Sequence, residues 1–172
     1  MERLWTPWRA EFVTGQTRGA AGSQDRPACF LCENPALGND AGALILHRAR
    51  HAYILLNLYP YNSGHLMIAP YAHVGEMEAL SPETGREIWA LAQLSVGVLK
   101  DEYTPDGFNL GMNLGRLAGA GVPDHLHLHV VPRWGGDTNF LPVVGETKVL
   151  PESLEQTYGR LRPLFSRSGG QE

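Results

Sequence analysis

Asp124-His125-Leu126-His127-Leu128-His129-Val130-Val131-Pro132-Arg133-Trp134 is the stretch on which the reading of this chain turns. Histidine and aliphatic residues alternate along it, the period of a half-buried strand. That period puts three imidazoles on one face and sends Leu126, Leu128 and Val130 to the other, toward a core. A single histidine on such a face is usually a packed structural residue. Three in register point to a metal cage or to a site where imidazole performs chemistry.

The flanking segments supply the rest of a sheet. Residues 43–48, 52–57 and 65–70 are short aliphatic runs, and Tyr59-Pro60-Tyr61-Asn62-Ser63-Gly64 forms a turn between the last two. Connections this short favour antiparallel neighbours. Residues 107–114 and 126–132 complete five strands. Ser81-Pro82-Glu83 is a helix start, with serine as N-cap and proline at the first helical position. Ile88, Leu91, Ala92, Ser95 and Leu99 then mark one helical face, which runs to about Glu102. Pro151-Glu152 opens a final helix with Leu154, Tyr158, Leu161 and Phe165 on one face, and residues 166–172 are expected to fray. The expected architecture is α+β: a mostly antiparallel five-stranded sheet with one long helix and a C-terminal helix.

At 172 residues, 43% hydrophobic and 19% charged, the chain has the composition of one ordinary globular domain. A net charge of -4 argues against a nucleic-acid partner, which calls for a basic stripe. No apolar run reaches the roughly 18 residues that cross a bilayer, so no membrane partner is expected. Met1-Glu2-Arg3-Leu4-Trp5 lacks the apolar core of a signal peptide, which makes the cytoplasm the expected location. Trp5-Thr6-Pro7-Trp8-Arg9 reads as an arm packed on the body or on a second subunit, joined by a flexible connection over 14–24. The organisation is an arm over 1–28, a core domain over 29–134 and an extension over 135–172. Cys29 and Cys32 form a Cys-x-x-Cys pair, half of a zinc site or a redox dithiol. Nothing around residues 27–34 suggests the strand-to-helix turn of a redox motif, so zinc is favoured and two more ligands are needed.

A neutral imidazole held on its other nitrogen is a good nucleophile toward phosphorus. His127 is the middle of the three, and Gly115-Arg116-Leu117-Ala118-Gly119-Ala120-Gly121 is a loop of the kind whose N–H groups cradle phosphates. Together they point to attack on a nucleotide phosphate. The rival reading is a metal enzyme, since His-x-His is also a zinc pattern, though no acidic ligand lies nearby.

His125-Leu-His127-Leu-His129-Val-Val resembles the signature of the histidine triad family of nucleotide hydrolases and transferases. The resemblance runs from about Cys29 to Pro132 and takes in Asn57, the Gly64-His65-Leu-Met-Ile-Ala-Pro70 strand and the glycine-rich loop. Trp5-Thr-Pro-Trp-Arg9 and Pro132-Arg-Trp-Gly-Gly-Asp-Thr-Asn-Phe140 look like the prokaryotic branch that includes the diadenosine tetraphosphate phosphorylases, related to the fragile-histidine-triad hydrolases. The resemblance implies that His127 attacks the α-phosphorus to give an adenylyl-histidine, which water or inorganic phosphate resolves to AMP or ADP. It implies that His129 binds the non-bridging oxygens, Asn113 the phosphate or its ester oxygen, and Asn57 the ribose. His65 is a supporting residue near the site. Gly119, Ala120 and Gly121 would hold phosphate through backbone N–H groups, and Trp134 would stack on a base or fill a dimer interface.

The resemblance also implies a structural zinc held by Cys29, Cys32, His73 and His125, with no cofactor in the chemistry itself, and a homodimer formed through the helix and a sheet edge. One departure stands out. Many relatives carry Ser or Gln just before the triad to assist the leaving group, whereas this chain has Gly119-Ala120-Gly121-Val122-Pro123. Arg133, Arg116 and Lys148 are candidates to meet a polyphosphate tail. His47 and His51 are expected at the surface. The leading reading is cleavage of a dinucleoside polyphosphate such as diadenosine tetraphosphate; the alternatives are a purine nucleoside phosphoramidase and a nucleotide-binding regulator with slow turnover.

Overall fold

The computed structural model describes residues 29–137 and 150–168. The tryptophan arm, the connection over 14–24, Lys148 and most of the 135–149 stretch lie outside the described residues. Five strands form one wholly antiparallel sheet: β1 (Ile45–Arg48), β2 (Ala52–Leu56), β3 (Leu66–Pro70), β4 (Gly107–Gly111) and β5 (Leu128–Arg133), in the order β1-β2-β3-β5-β4. The last strand thus enters between β3 and β4, which puts the triad segment in the interior of the sheet and leaves β4 at an edge.

Regular pairing of β5 starts at Leu128, two residues after the expected Leu126. The Leu126 N–H goes instead to the Val74 carbonyl at 2.7 Å, outside the sheet ladder. β4 is likewise shorter than the 107–114 run, because the chain leaves the sheet at the next glycine-flanked loop.

Two apolar clusters divide along the faces of the sheet. On one face, Leu46, Ile54, Leu56, Leu66, Ile68, Leu128 and Val130 pack on the two longer helices. These are α2 (Pro82–Tyr103), which buries Ile88, Leu91, Ala92, Ser95 and Leu99, and α3 (Leu154–Ser168), which buries Leu161 and Phe165. Each fully buried Leu or Phe contributes roughly 1.5–3 kcal/mol. Ser81 caps α2 by accepting the Thr84 N–H, as its sequence indicates.

The start of α3 differs from expectation. The cap is Ser153, not the Pro151-Glu152 pair: its Oγ accepts from Gln156 N–H, and Gln156 Oε1 accepts from Ser153 N–H, a reciprocal capping box. Residues 166–168 belong to this helix rather than fraying. Because α3 returns over β1, His47 is half-buried beside Phe165, with ring centroids 6.4 Å apart, and is not the surface residue expected; His51 is half-buried as well.

The second face carries Ile45, Tyr53, Leu55, Met67 and Ala69, covered by Leu31 of a short helix that the sequence reading did not anticipate, α1 (Phe30–Ala36). Pro35 inside it masks the helical pattern. The buried Tyr53 hydroxyl donates to Leu31 O at 2.6 Å and Arg48 Nη2 to Pro35 O at 2.9 Å, which fixes α1 on β1 and β2. Over β5 and β4 no helix among the described residues covers this face, and there the chemistry collects. Among the described residues, no helix is long and apolar enough to cross a membrane.

Candidate active site

His129 pairs with Met67 on β3 and Gly111 on β4, so its ring stands on the open face at mid-sheet. His127 precedes it by one strand period, with the two rings edge to face at 4.9 Å. His65 leads into β3 and is 1% exposed.

Backbone groups decide the protonation of each ring. The His127 Nδ1–H donates to its neighbour His125 O at 2.9 Å, which leaves the lone pair on Nε2. Burial lowers the His127 pKa from the usual 6.5, with the carbonyl bond opposing, so the ring is neutral at pH 7. The Tyr61 N–H donates to His65 Nδ1 at 3.0 Å, which assigns the His65 proton to Nε2. That proton faces His129 Nδ1 at 3.0 Å, so His129 carries its own proton on Nε2. A buried neutral nucleophile therefore sits beside an oriented N–H donor. Tyr61 covers this pair, its ring centroid 4.5 Å from His65 and 5.9 Å from His129.

An open cavity of about 380 Å³ runs from His129 along the β4–β5 face. Tyr61, Asn62, Asn109, Asn113 and Arg133 line it. Asn62, 5% exposed, donates through Nδ2 to Pro132 O at 2.9 Å and Asp137 Oδ2 at 2.7 Å. Arg133 pairs Nε and Nη2 with the two Asp137 oxygens at 2.7 and 2.9 Å and gives Nη1 to Asn109 Oδ1 at 2.7 Å. The Arg133 guanidinium holds the Asp137 carboxyl well below the usual carboxylate range.

His125 faces away from the cavity. Its Nε2–H donates to Pro70 O at 2.8 Å, and its Nδ1 lies 3.4 Å from both Cys29 Sγ and Cys32 Sγ. His73 Nδ1 lies 3.2 Å from Cys32 Sγ, and the four ligand atoms all fall within 4.8 Å of one another. A tetrahedral zinc with Zn–S of about 2.3 Å and Zn–N of about 2.0 Å needs S···N edges of about 3.5 Å. The three S···N separations of 3.2–3.4 Å match that edge to within a few tenths of an ångström, and a Cys2His2 donor set suits such an ion. Both cysteines are free thiols, and burial followed by the neighbouring Cys29 pushes Cys32 up to about 11 when no metal is bound.

The tertiary structure thus brings together His127, His129 and His65, and separately the four metal-ligand candidates. Asn113 lines the cavity, with Nδ2 at 3.5 Å from Gly119 O. Asn57 sits beside His65 at 3.4 Å and accepts the Tyr59 N–H at 3.0 Å. The N–H groups of Gly119 and Ala120 turn inward, to Arg116 O at 3.0 Å and Gly115 O at 3.4 Å. Trp134 packs edge-on against Tyr103 and donates to Tyr103 O at 3.4 Å; the cavity lining does not include it. Sequence reading overlooked Tyr61, Asn62, Asn109 and Asp137. Asn62 and Asp137 are 75 residues apart and carry no local signal for their contact.

Residues 40–136 match the family described as HIT domain. The chain is 43% identical over 168 residues to a Mycobacterium tuberculosis protein named AP-4-A phosphorylase, covering 97% of this chain and 86% of that one. It is 28% identical over 123 residues to a Dictyostelium discoideum bis(5'-adenosyl)-triphosphatase, covering 68% of this chain and 82% of that one. Among solved structures, a Zn-bound histidine triad family protein from Mycobacterium smegmatis superposes with a TM-score of 0.64 at 25% identity, covering 81% of this chain and 96% of that one.

Proposed function

This chain belongs to the HIT domain family, and on that basis we propose that it cleaves dinucleoside polyphosphates, diadenosine tetraphosphate foremost, through a nucleotidyl-His127. The observation that carries this reading is the commitment of His127 Nδ1–H to His125 O, which leaves a neutral Nε2 beside the His129 donor. Nε2 attacks the α-phosphorus in line, the bond to the bridging oxygen breaks, and ATP departs. The His129 Nε2–H meets the non-bridging oxygens, where charge is held in the transition state. An oxygen of the acceptor then attacks the same phosphorus, the P–N bond breaks, and His127 is regenerated. The name of the relative aligned over nearly the whole chain favours inorganic phosphate as acceptor, which gives ADP. Asn113 and Asn57 are assigned to the phosphate and the ribose, and His65 to orienting His129.

The Cys29-Cys32-His73-His125 cluster would hold zinc, a structural ion that ties α1 to the triad segment and takes no part in the chemistry. Thiols used in this way suit a reducing compartment, which favours the cytoplasm. A second copy is assigned to the β4 edge, where Leu110 is 40% and Trp89 60% exposed beside Ala92 and Val96. A slower nucleotide-binding role is the second reading; the inward-turned N–H groups of Gly119 and Ala120 favour it.

The test is product analysis on diadenosine tetraphosphate with and without inorganic phosphate. ADP plus ATP only when phosphate is supplied supports phosphorolysis, and AMP plus ATP in both cases supports hydrolysis. If the folded His127→Ala protein retains turnover, the nucleotidyl-histidine reading is wrong.

A further inference from the structure

The far end of the cavity carries chemistry that the triad does not use. Arg133 lies four residues beyond His129 on the same face of β5, about 13 Å along the strand at ~3.3 Å per residue. It lines the same cavity, yet nothing in the cleavage step calls for a cation at that distance. Three of its five N–H donors are engaged, two by Asp137 and one by Asn109, and two remain. Asp137 is itself held by the buried Asn62 amide and the Trp134 N–H, so the guanidinium is aimed by a fixed carboxylate. Of the asparagines that line the cavity, Asn109 pairs with Val131 and so lies between the two ends, Asn62 stands at the Arg133 end, and Asn113 lies two residues past Gly111, beyond the His129 level. Among the described residues, no carboxylate lines it.

A cavity with an imidazole donor, a fixed guanidinium about four strand residues away and the Asn109 amide between them is built for a chain of phosphates. Arg recognises phosphate oxygens through parallel N–H bonds, and pre-orientation lowers the entropy lost on binding. We propose that Arg133, aimed by Asp137 and Asn62, anchors a second phosphate subsite that binds a phosphoryl group other than the one attached to His127. That group has two sources of the same chemistry: the leaving polyphosphate, or the inorganic phosphate that enters as acceptor. The direction of the chain rests on the reading of His127 as nucleophile; the subsite itself does not.

The experiment is calorimetric titration of the full-length protein with inorganic tripolyphosphate, inorganic phosphate, AMP and ATP. Wild type is compared with Arg133→Gln and Arg133→Lys. In Arg133→Gln, tripolyphosphate binding is expected to weaken by about 10- to 100-fold, with AMP affinity unchanged to within about twofold. Arg133→Lys keeps the charge and the Asp137 pairing but loses the fork, and recovers part of the loss. Weakening of tripolyphosphate and ATP alone assigns the subsite to the leaving chain. Equal weakening of inorganic phosphate assigns it to the acceptor. Arg133→Gln and Arg133→Lys proteins that bind both inorganic anions as wild type does would overturn the proposal. Failure of the nucleotidyl-histidine reading is seen separately, as turnover surviving in His127→Ala, and leaves these binding results standing.

Discussion

Replacing His65 by leucine isolates the hydrogen-bond chain that gives His129 its direction. His65 is 1% exposed and receives the Tyr61 N–H at 3.0 Å, so it must present Nε2–H to His129 at 3.0 Å. Leucine fills much of the volume but removes both bonds. The orphaned Tyr61 amide destabilises the fold by about 1–3 kcal/mol. The His129 ring is then released to populate either tautomer. Losing a net hydrogen bond worth about 1 kcal/mol sets a floor of roughly fivefold on turnover. Losing an aimed transition-state donor altogether sets a ceiling of about 10²–10³. A fall in kcat of about 10- to 100-fold is therefore expected, with a smaller change in KM. His65→Gln retains an amide N–H toward His129 and should recover most of the loss. The assay is steady-state turnover of diadenosine tetraphosphate, with imidazole nitrogen shifts of His129 reporting its tautomer. Turnover within about twofold of wild type in a folded His65→Leu protein, or a Gln variant no better than Leu, refutes the reasoning.

Three other outcomes follow from named contacts. Burial holds the folded-state pKa of His127 below 6.5, so turnover should persist at neutral pH and fall only further into the window below 6.5, where the folded ring takes up its proton. In that window the unfolded chain binds more protons than the folded one, so unfolding midpoints against pH should show stability falling as well, and less steeply in His127→Gln. A Cβ at Gly75 would lie 2.8 Å from Pro123 O and 3.0 Å from Asp124 Cα, both backbone atoms next to the triad. Gly75→Ala should thus destabilise by about 1–3 kcal/mol in denaturant titration and depress kcat as well, whereas an unchanged kcat would show that the triad entry absorbs the shift harmlessly. Purified protein should contain one zinc per chain by elemental analysis and lose it in Cys32→Ser. Chelation should then lower the melting temperature, since an ion at about 1,000 times its Kd contributes about 4 kcal/mol to the folded state. An unmoved melting temperature counts against the structural ion.

The strands around the triad and the long helix were legible because their patterns are local. Ser81-Pro82 announces a helix start, and the face Ile88-Leu91-Ala92-Ser95-Leu99 is the face that α2 buries. Alternation from Leu128 to Val130 likewise separates His129 from the core residues Leu128 and Val130, whereas His125 and His127 precede the regular strand. The short helix α1 was not legible, because seven residues containing a proline offer no period to read and the helix is held by Tyr53 and Arg48 from distant strands. The Ser153-Gln156 capping box was present in the sequence but outweighed by the proline before it.

By itself, the sequence determined the chemical inventory: three alternating histidines, a cysteine pair, and the α+β class in which they sit. Only the tertiary structure decided how those groups divide the work. Insertion of β5 between β3 and β4 brings His65 against His129, and a backbone amide at Tyr61 assigns the proton along that pair. The Pro70 carbonyl takes one nitrogen of His125 and leaves the other for the thiols, while the His125 carbonyl orients His127. Asn62 reaches Asp137 across 75 residues to aim Arg133. Periodicity carries the direction of a side chain, but a tautomer or a cation's aim depends on the one atom that folding brings to it, whether that atom is two residues away, as His125 O is for His127, or 75 away, as Asn62 is for Asp137.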